Sequence, residues 1–419
     1  MLAFTFPGQG SQRFQMGAAW VDHPSWEVVT EASNASGVDI AYLLTEAPIA
    51  ELTLTFNAQL ATLTQSLVVL DAIERLGFSP GACAGHSLGE YSSLIASGAI
   101  EFSEGLRLAV ARGHAMATAA ASTRGTMAAL IGISDSDAQA ACYRAESDVW
   151  VANYNAPGQV VIGGTFEGVE KACEVATKLG VKRVIRLQVS GAFHTPLMLG
   201  ARAELRDALA QVSFQTPEVP VVSNVDGHFH DDRDEWPALL SAQLCSPVRW
   251  YQGVETLIGF GATTLVEVGP GGVLSGLARR IAPELHTLSV ATPDDLDTMM
   301  DVIAPTKTVA MDPNVHHGEH LYISERVVVS PSTGIFSPEE SLHAPGAGLL
   351  PGTGGMTAGM VDTDARDAHL NVGDLVGRVG VADVRTPFEG VLVRWLATAG
   401  ERVQEGQPLL WLKVEGERR

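Results

Sequence analysis

Residues 81–96 read Gly81-Ala82-Cys83-Ala84-Gly85-His86-Ser87-Leu88-Gly89-Glu90-Tyr91-Ser92-Ser93-Leu94-Ile95-Ala96. The first four are small and apolar, as at the end of a buried strand. The last six suit a helix. Between them lies G-x-S-x-G, the pattern of a sharp strand-to-helix turn that lifts a serine hydroxyl into the open. The glycines are needed because a side chain at either position would crowd the turn. The helix N-terminus then points free N–H groups at the serine and favours a developing oxyanion. Ser87 is thus a candidate nucleophile at the carboxyl edge of a parallel sheet. The competing reading is a chance match to a short pattern.

Working outward, residues 1 to about 295 alternate strand and helix. Apolar strand candidates are 2–6, 81–85, 219–223, 264–268 and 286–290, separated by helical stretches at Gln59–Leu76, 103–121, 196–212 and 249–260. This alternation predicts an α/β fold with a mainly parallel, hydrolase-like sheet. Thr195-Pro196 supplies a capping hydroxyl and a first-turn proline. Residues 125–189 break the pattern with strand, helix, two strands round Asn155-Ala156-Pro157-Gly158, helix, strand. That order predicts an inserted ferredoxin-like subdomain.

After residue 295 come a helix remnant and linker (296–320), then short strands with a weak internal repeat. Val372-Gly373-Asp374-Leu375-Val376 resembles Ala399-Gly400-Glu401-Arg402-Val403. This predicts a small all-β barrel-sandwich domain over 321–419. Its Gly/Pro-rich insertion at about 337–369 has no periodicity and is expected to be a flexible loop.

The chain has 419 residues, 46% of them hydrophobic and 18% charged, which suits folded domains with substantial cores. A net charge of −21 argues against nucleic-acid binding and makes each arginine in a site informative. No apolar run is long enough to span a bilayer, and Met1 runs straight into a strand-like segment, so a cytoplasmic protein without membrane insertion is expected. The four cysteines (Cys83, Cys142, Cys173, Cys245) have neither metal-type nor redox-type spacing and are read as reduced; no metal is expected.

Three further segments carry candidate chemistry. His194 ends Ser190-Gly191-Ala192-Phe193-His194 just before a capped helix, a fitting place for a general base beside Ser87. No acidic residue between Ser87 and His194 stands out as a triad partner, so a backbone or amide carbonyl is the alternative orienting group. Arg112 opens Arg112-Gly113-His114-Ala115-Met116 in a helix of Ala, Leu and Met. Alone, that context favours a snorkelling surface arginine; a buried one would offer a planar fork to a carboxylate. Pro7-Gly8-Gln9-Gly10 follows the first strand, and its glycines allow a close backbone approach, suited to a second oxyanion-hole N–H.

Together Pro7–Gln12, Gly85–Glu90, Arg112-Gly113, Asn153–Val161, Gly191–His194 and Ser246–Trp250 resemble the malonyl-coenzyme A:acyl-carrier-protein transacylases and the related polyketide acyltransferase domains. The resemblance covers residues 1 to about 295. It implies Ser87 as nucleophile and His194 as base, with backbone N–H groups of Gln9 and Leu88 as oxyanion hole. It implies Arg112 as the partner of the malonyl carboxylate, with Phe193, Met116 and Asn155 also lining the substrate site. Phe193 favours malonyl over methylmalonyl. The backbone carbonyl of Arg249 would orient the histidine. The implied partners are malonyl-CoA and acyl carrier protein. Lys178, Lys182, Arg183 and Arg186 form a basic cluster on which an acidic carrier would dock, if they are not simply solubility charges. The alternative activity is a serine thioesterase or hydrolase, which leaves Arg112 unexplained.

The tail, notably Thr386-Pro387-Phe388-Glu389-Gly390-Val391-Leu392, resembles a biotinyl/lipoyl carrier domain. The hairpin that would hold its modified lysine is Gly377–Asp383, which has none, and there is no lysine between Lys307 and Lys413. The expectation is no biotin or lipoate, and an interaction or structural role with an unknown partner.

Overall fold

The computed structural model describes residues 1–303, 325–339, 368–397, 399–400, 402–403 and 408–413. The chain divides into two compact units, Met1–Lys307 and Thr308–Arg419. In the first, a six-stranded sheet runs in the order His286–Val290, Thr264–Val268, Leu2–Phe6, Ala82–Gly85, Val221–Val222, Phe229–His230. The first five strands are parallel and the last is antiparallel. That last strand has two residues and no apolar run to announce it. The central parallel strands Leu2–Phe6 and Ala82–Gly85 are buried, mostly apolar runs, as a sheet covered on both faces requires, whereas the edge strand His286–Val290 is buried fully only at Val290. Phe6 pairs with Gly85, so the loop after the first strand and the turn after the second emerge side by side.

The helix Thr55–Arg75 is buried without a break from Ala58 to Leu70. It is a core helix that buries Gln59, Thr62, Thr64, Gln65 and Ser66 along with its apolar side chains. The helix Phe102–Ser122 packs on it where Gly113 faces Phe56; a Cβ on Gly113 would stand 3.0 Å from that ring. Removing one side chain lets the two helices approach and brings Arg112 against Gln59. Thr195 caps a short turn, Pro196–Met198, that runs into the helix Leu199–Leu209. The helix Pro293–Ile303 buries Leu296 and Met299 in the main core, so the first unit continues past the boundary expected at 295.

The inserted subdomain is an antiparallel sheet in the order Val149–Ala156, Gln159–Gly164, Thr126–Ile131, Arg183–Arg186, with helices Asp135–Arg144 and Phe166–Lys178. It has the expected ferredoxin-like order. Its edge strand is stapled to the main domain by Val248, whose N–H donates to Ala152 O (2.9 Å) and whose carbonyl accepts from Tyr154 N–H (2.8 Å).

In the second unit the described residues form two four-stranded sheets around Phe336, Leu370, Val376, Leu392 and Leu410. The repeated glycines Gly373 and Gly400 share a left-handed φ, +91° and +84°, and each is followed closely by a strand. The strands Leu375–Val379 and Ala382–Arg385 form a tight hairpin with Val381 fully exposed at its tip. The expected insertion lies outside the described residues except at its two ends, as does most of the linker beyond Ile303.

Candidate active site

The turn at Ser87 is built by crowding. A Cβ on Gly85 would lie 1.9 Å from the Gly89 carbonyl group, and one on Gly89 would lie 2.0 Å from Phe6 O. Both positions exclude any side chain. Ser87 itself sits at φ +55°, a conformation that costs a non-glycine residue of order 1 kcal/mol or more. Asn224 braces the strained turn: it accepts from Ser87 N–H (2.7 Å) and donates to Gly85 O (2.6 Å).

Ser87 Oγ lies 2.7 Å from His194 Nε2. His194, also left-handed at φ +59°, faces Gln243 O with its Nδ1 at 2.9 Å. A carbonyl only accepts, so Nδ1 carries the hydrogen and Nε2 presents its lone pair to the serine hydroxyl. Burial, then the neighbouring Arg112 charge, pulls the His194 pKa down to about 3. The imidazole is therefore neutral at physiological pH.

The orienting carbonyl belongs to Gln243 and not, as expected, to Arg249. Arg249 caps the helix Trp250–Gly259, and its carbonyl is taken by Gly253 N–H (3.0 Å). Gln243 ends the helix Trp236–Gln243, where its carbonyl has only a long contact from Ser246 N–H (3.4 Å) and keeps a lone pair for the imidazole. The Arg249 guanidinium instead donates to Val225 O and lies over the Tyr154 ring.

Arg112 is fully buried, not on the surface. Its Nη1 donates to Gln59 Oε1 (2.7 Å), and its Nη2 donates to Gln243 Oε1 (3.0 Å) and to Ser87 Oγ (3.0 Å). All three acceptors are uncharged, and its Nε–H has no partner. Burial lowers its pKa. Among the described residues no carboxylate pairs with it directly. A desolvated cation beside Ser87, short of acceptors, is suited to receive an anion.

A cavity of about 220 Å³ opens on Ser87 and His194 and is lined by Gln9, Met116, Asn155 and Phe193 among others. Met116 Sδ accepts from Gln59 Nε2 (3.3 Å), and Asn155 Oδ1 is 2.9 Å from His86 Nε2. Gly8 has room for no side chain, since its Cβ would stand 2.4 Å from His86 O, so the Gln9 loop lies against the elbow. Within the described residues neither the Gln9 nor the Leu88 backbone N–H has an acceptor. A larger cavity, about 520 Å³, touches His194 but not Ser87, whereas the smaller one is lined by both. The described residues hold no metal-type cluster and no helix long and apolar enough to cross a membrane.

Gln243, Asn224 and Gln59 were not marked by any motif. The only trace of Gln243 is a polar residue ending an apolar helix shortly before Pro247.

The acyl transferase domain family matches residues 3–292. The chain is 38% identical over 307 residues to the malonyl CoA-acyl carrier protein transacylase of Bacillus subtilis, covering 72% of this chain and 97% of that one. It is 39% identical over 305 residues to the Escherichia coli K12 protein of the same name, with 72% and 99% covered. A solved malonyl-CoA:acyl carrier protein transacylase from Xanthomonas oryzae superposes with a TM-score of 0.70 at 40% identity, covering 72% and 98%. A malonyl-transacylase solved in complex with a type II PKS acyl-carrier protein superposes with a TM-score of 0.70 at 36% identity, covering 72% and 99%. With a buried cation set beside an elbow serine, and relatives matched over nearly their whole length, the chain belongs to the malonyl-CoA:acyl carrier protein transacylase family.

Proposed function

We propose that this protein moves a malonyl group from malonyl-CoA to the phosphopantetheine thiol of acyl carrier protein through a malonyl ester on Ser87. The observation that carries this reading is Arg112, a buried cation 3.0 Å from the nucleophile with no direct carboxylate partner among the described residues. An acyl group ending in a carboxylate supplies that partner; a plain acyl group does not.

In this reading Ser87 Oγ attacks the thioester carbonyl while its proton passes to His194 Nε2. The Gln9 and Leu88 N–H groups hold the oxyanion. The tetrahedral centre collapses, and His194 returns the proton to the departing coenzyme A sulfur. The carrier thiol then reverses the sequence, in ping-pong covalent catalysis. The malonyl carboxylate on Arg112 also offsets the positive charge that disfavours the imidazolium, so the base strengthens when the correct substrate binds. Phe193, Met116 and Asn155 shape the acyl and pantetheine path. The exposed Lys178, Lys182 and Arg183 are our candidates for the carrier face; Arg186 is already paired with Glu170.

A serine hydrolase shares the elbow but has no use for Arg112. Incubation with malonyl-CoA, followed by intact-mass analysis, separates the readings. A malonyl adduct that Ser87→Ala abolishes and that carrier protein discharges supports transfer. Discharge by water at the same rate with and without carrier supports hydrolysis.

For the second unit we propose a biotinyl/lipoyl-like fold without its prosthetic group. The hairpin tip is Gly380-Val381, with no acceptor lysine.

A further inference from the structure

Glu90 is fully buried one turn beyond Ser87, and the mechanism above leaves it unused. Its Oε2 accepts from Gln243 Nε2, and its Oε1 accepts from Asn224 N–H at 3.1 Å. Those two partners hold the rest of the site. Asn224 braces the elbow. Gln243 donates to Ser87 O (2.8 Å), accepts from Arg112 through Oε1, and accepts from His194 through its backbone carbonyl.

A side-chain amide can lie either way round. Here a cation faces one end and a carboxylate the other, so the two charges dictate that Oε1 points to Arg112 and Nε2 to Glu90. We propose that ionised Glu90 is a positioning residue: by fixing the Gln243 amide it sets His194 and Arg112 together against Ser87. This rests on the malonyl-transfer reading above. A neutral Glu90 would loosen that hold, leaving the amide fixed only by Arg112 at Oε1 and by the Ser87 carbonyl at Nε2.

The charged and titratable groups around Glu90 are few. Arg112 faces it from the helix Phe102–Ser122, Tyr91 adjoins it, and His194 reaches it through Gln243. His86 lies in the same turn. Cys83 is in the strand Ala82–Gly85, and burial keeps its thiol neutral. The strands Leu2–Phe6 and Val221–Val222 carry no charge, and the helix Thr55–Arg75 carries charge only at its far end. Burial pushes the Glu90 carboxyl up to about 7, against the lowering effect of its hydrogen bonds and of Arg112. The ionised form is therefore lost as pH falls through neutrality, whereas His194 stays neutral over the same range.

The test is steady-state malonyl transfer to carrier protein by the full chain, from about pH 6 to pH 8.5, for the wild type, Glu90→Gln and Glu90→Asp. The wild-type kcat should fall about tenfold on the acid side. Glu90→Gln should be at least about tenfold slower at pH 8, flat with pH, and without a raised KM for malonyl-CoA, because removing an anion near Arg112 does not weaken carboxylate binding. Glu90→Asp should recover the acid limb. A Glu90→Gln enzyme that keeps the wild-type limb overturns the proposal, as does one that loses activity through KM alone. If Glu90→Gln does not fold, a wild-type kcat that is flat across the range overturns it equally. Mass detection of the malonyl-serine ester on the wild type reports on the transfer reading separately, so the two failures are distinguishable.

Discussion

Arg112→Ala tests the charge argument directly. In the free enzyme the guanidinium is desolvated and held by three neutral oxygens. A malonyl carboxylate arriving there forms a buried, charge-assisted pair. Truncating one side of such a pair costs about 2–5 kcal/mol, or roughly 30-fold to 4,000-fold at 1.4 kcal/mol per tenfold. The assay is the rate of Ser87 acylation by malonyl-CoA and by acetyl-CoA, read by intact mass. The malonyl rate should fall within that range. The acetyl rate should change far less, because acetyl presents no anion and the variant no longer buries an uncompensated cation. Arg112→Lys should fall between, since an ammonium keeps the charge without the planar fork. The reasoning is refuted if both acyl groups lose equally in Arg112→Ala, for Arg112 would then act only by holding Ser87 and Gln243.

Other outcomes follow from the same geometry. The His194 pKa lies at about 3 in the fold against 6.5 unperturbed, so the unfolded chain binds the extra proton and stability falls as pH drops from 6.5 towards 3. At pH 5 that loss is about 2 kcal/mol; chemical denaturation should show His194→Gln losing correspondingly less between pH 7 and pH 5, and an identical loss in both proteins would contradict it. Intact mass of the expressed full chain should show neither biotin nor lipoate, and either modification would overturn the reading of the second unit.

Much of this architecture is written locally. Leu2–Phe6, Ala82–Gly85 and Thr264–Val268 are short, mostly apolar runs whose pattern needs no tertiary context, and Gly85 and Gly89 mark the turn after the second because no side chain fits. The hydrogen-bond network is different. Gln243 lies 49 residues from the histidine that its carbonyl orients, and only the packing of the helix Trp236–Gln243 brings them together. A main-chain acceptor has no side-chain signature, which is why Arg249, beside a recognisable motif, drew the assignment. The burial of Arg112 is hidden for a related reason. Its helix is rich in Ala, Leu and Met on both sides, and only the contact of Gly113 with Phe56 reveals which face turns inward.

The pair of hydrogen bonds through Val248 has a mechanical consequence. They lace the inserted subdomain to the main body along one wall of the cleft, close to Asn153 and Asn155. Spreading that wall would break both bonds to the edge strand Val149–Ala156 at once, so the cleft resists opening like a stitched seam. Adaptability must then come from what enters. A long, slender, freely rotating arm can thread such a fixed slot where a bulky carrier body cannot.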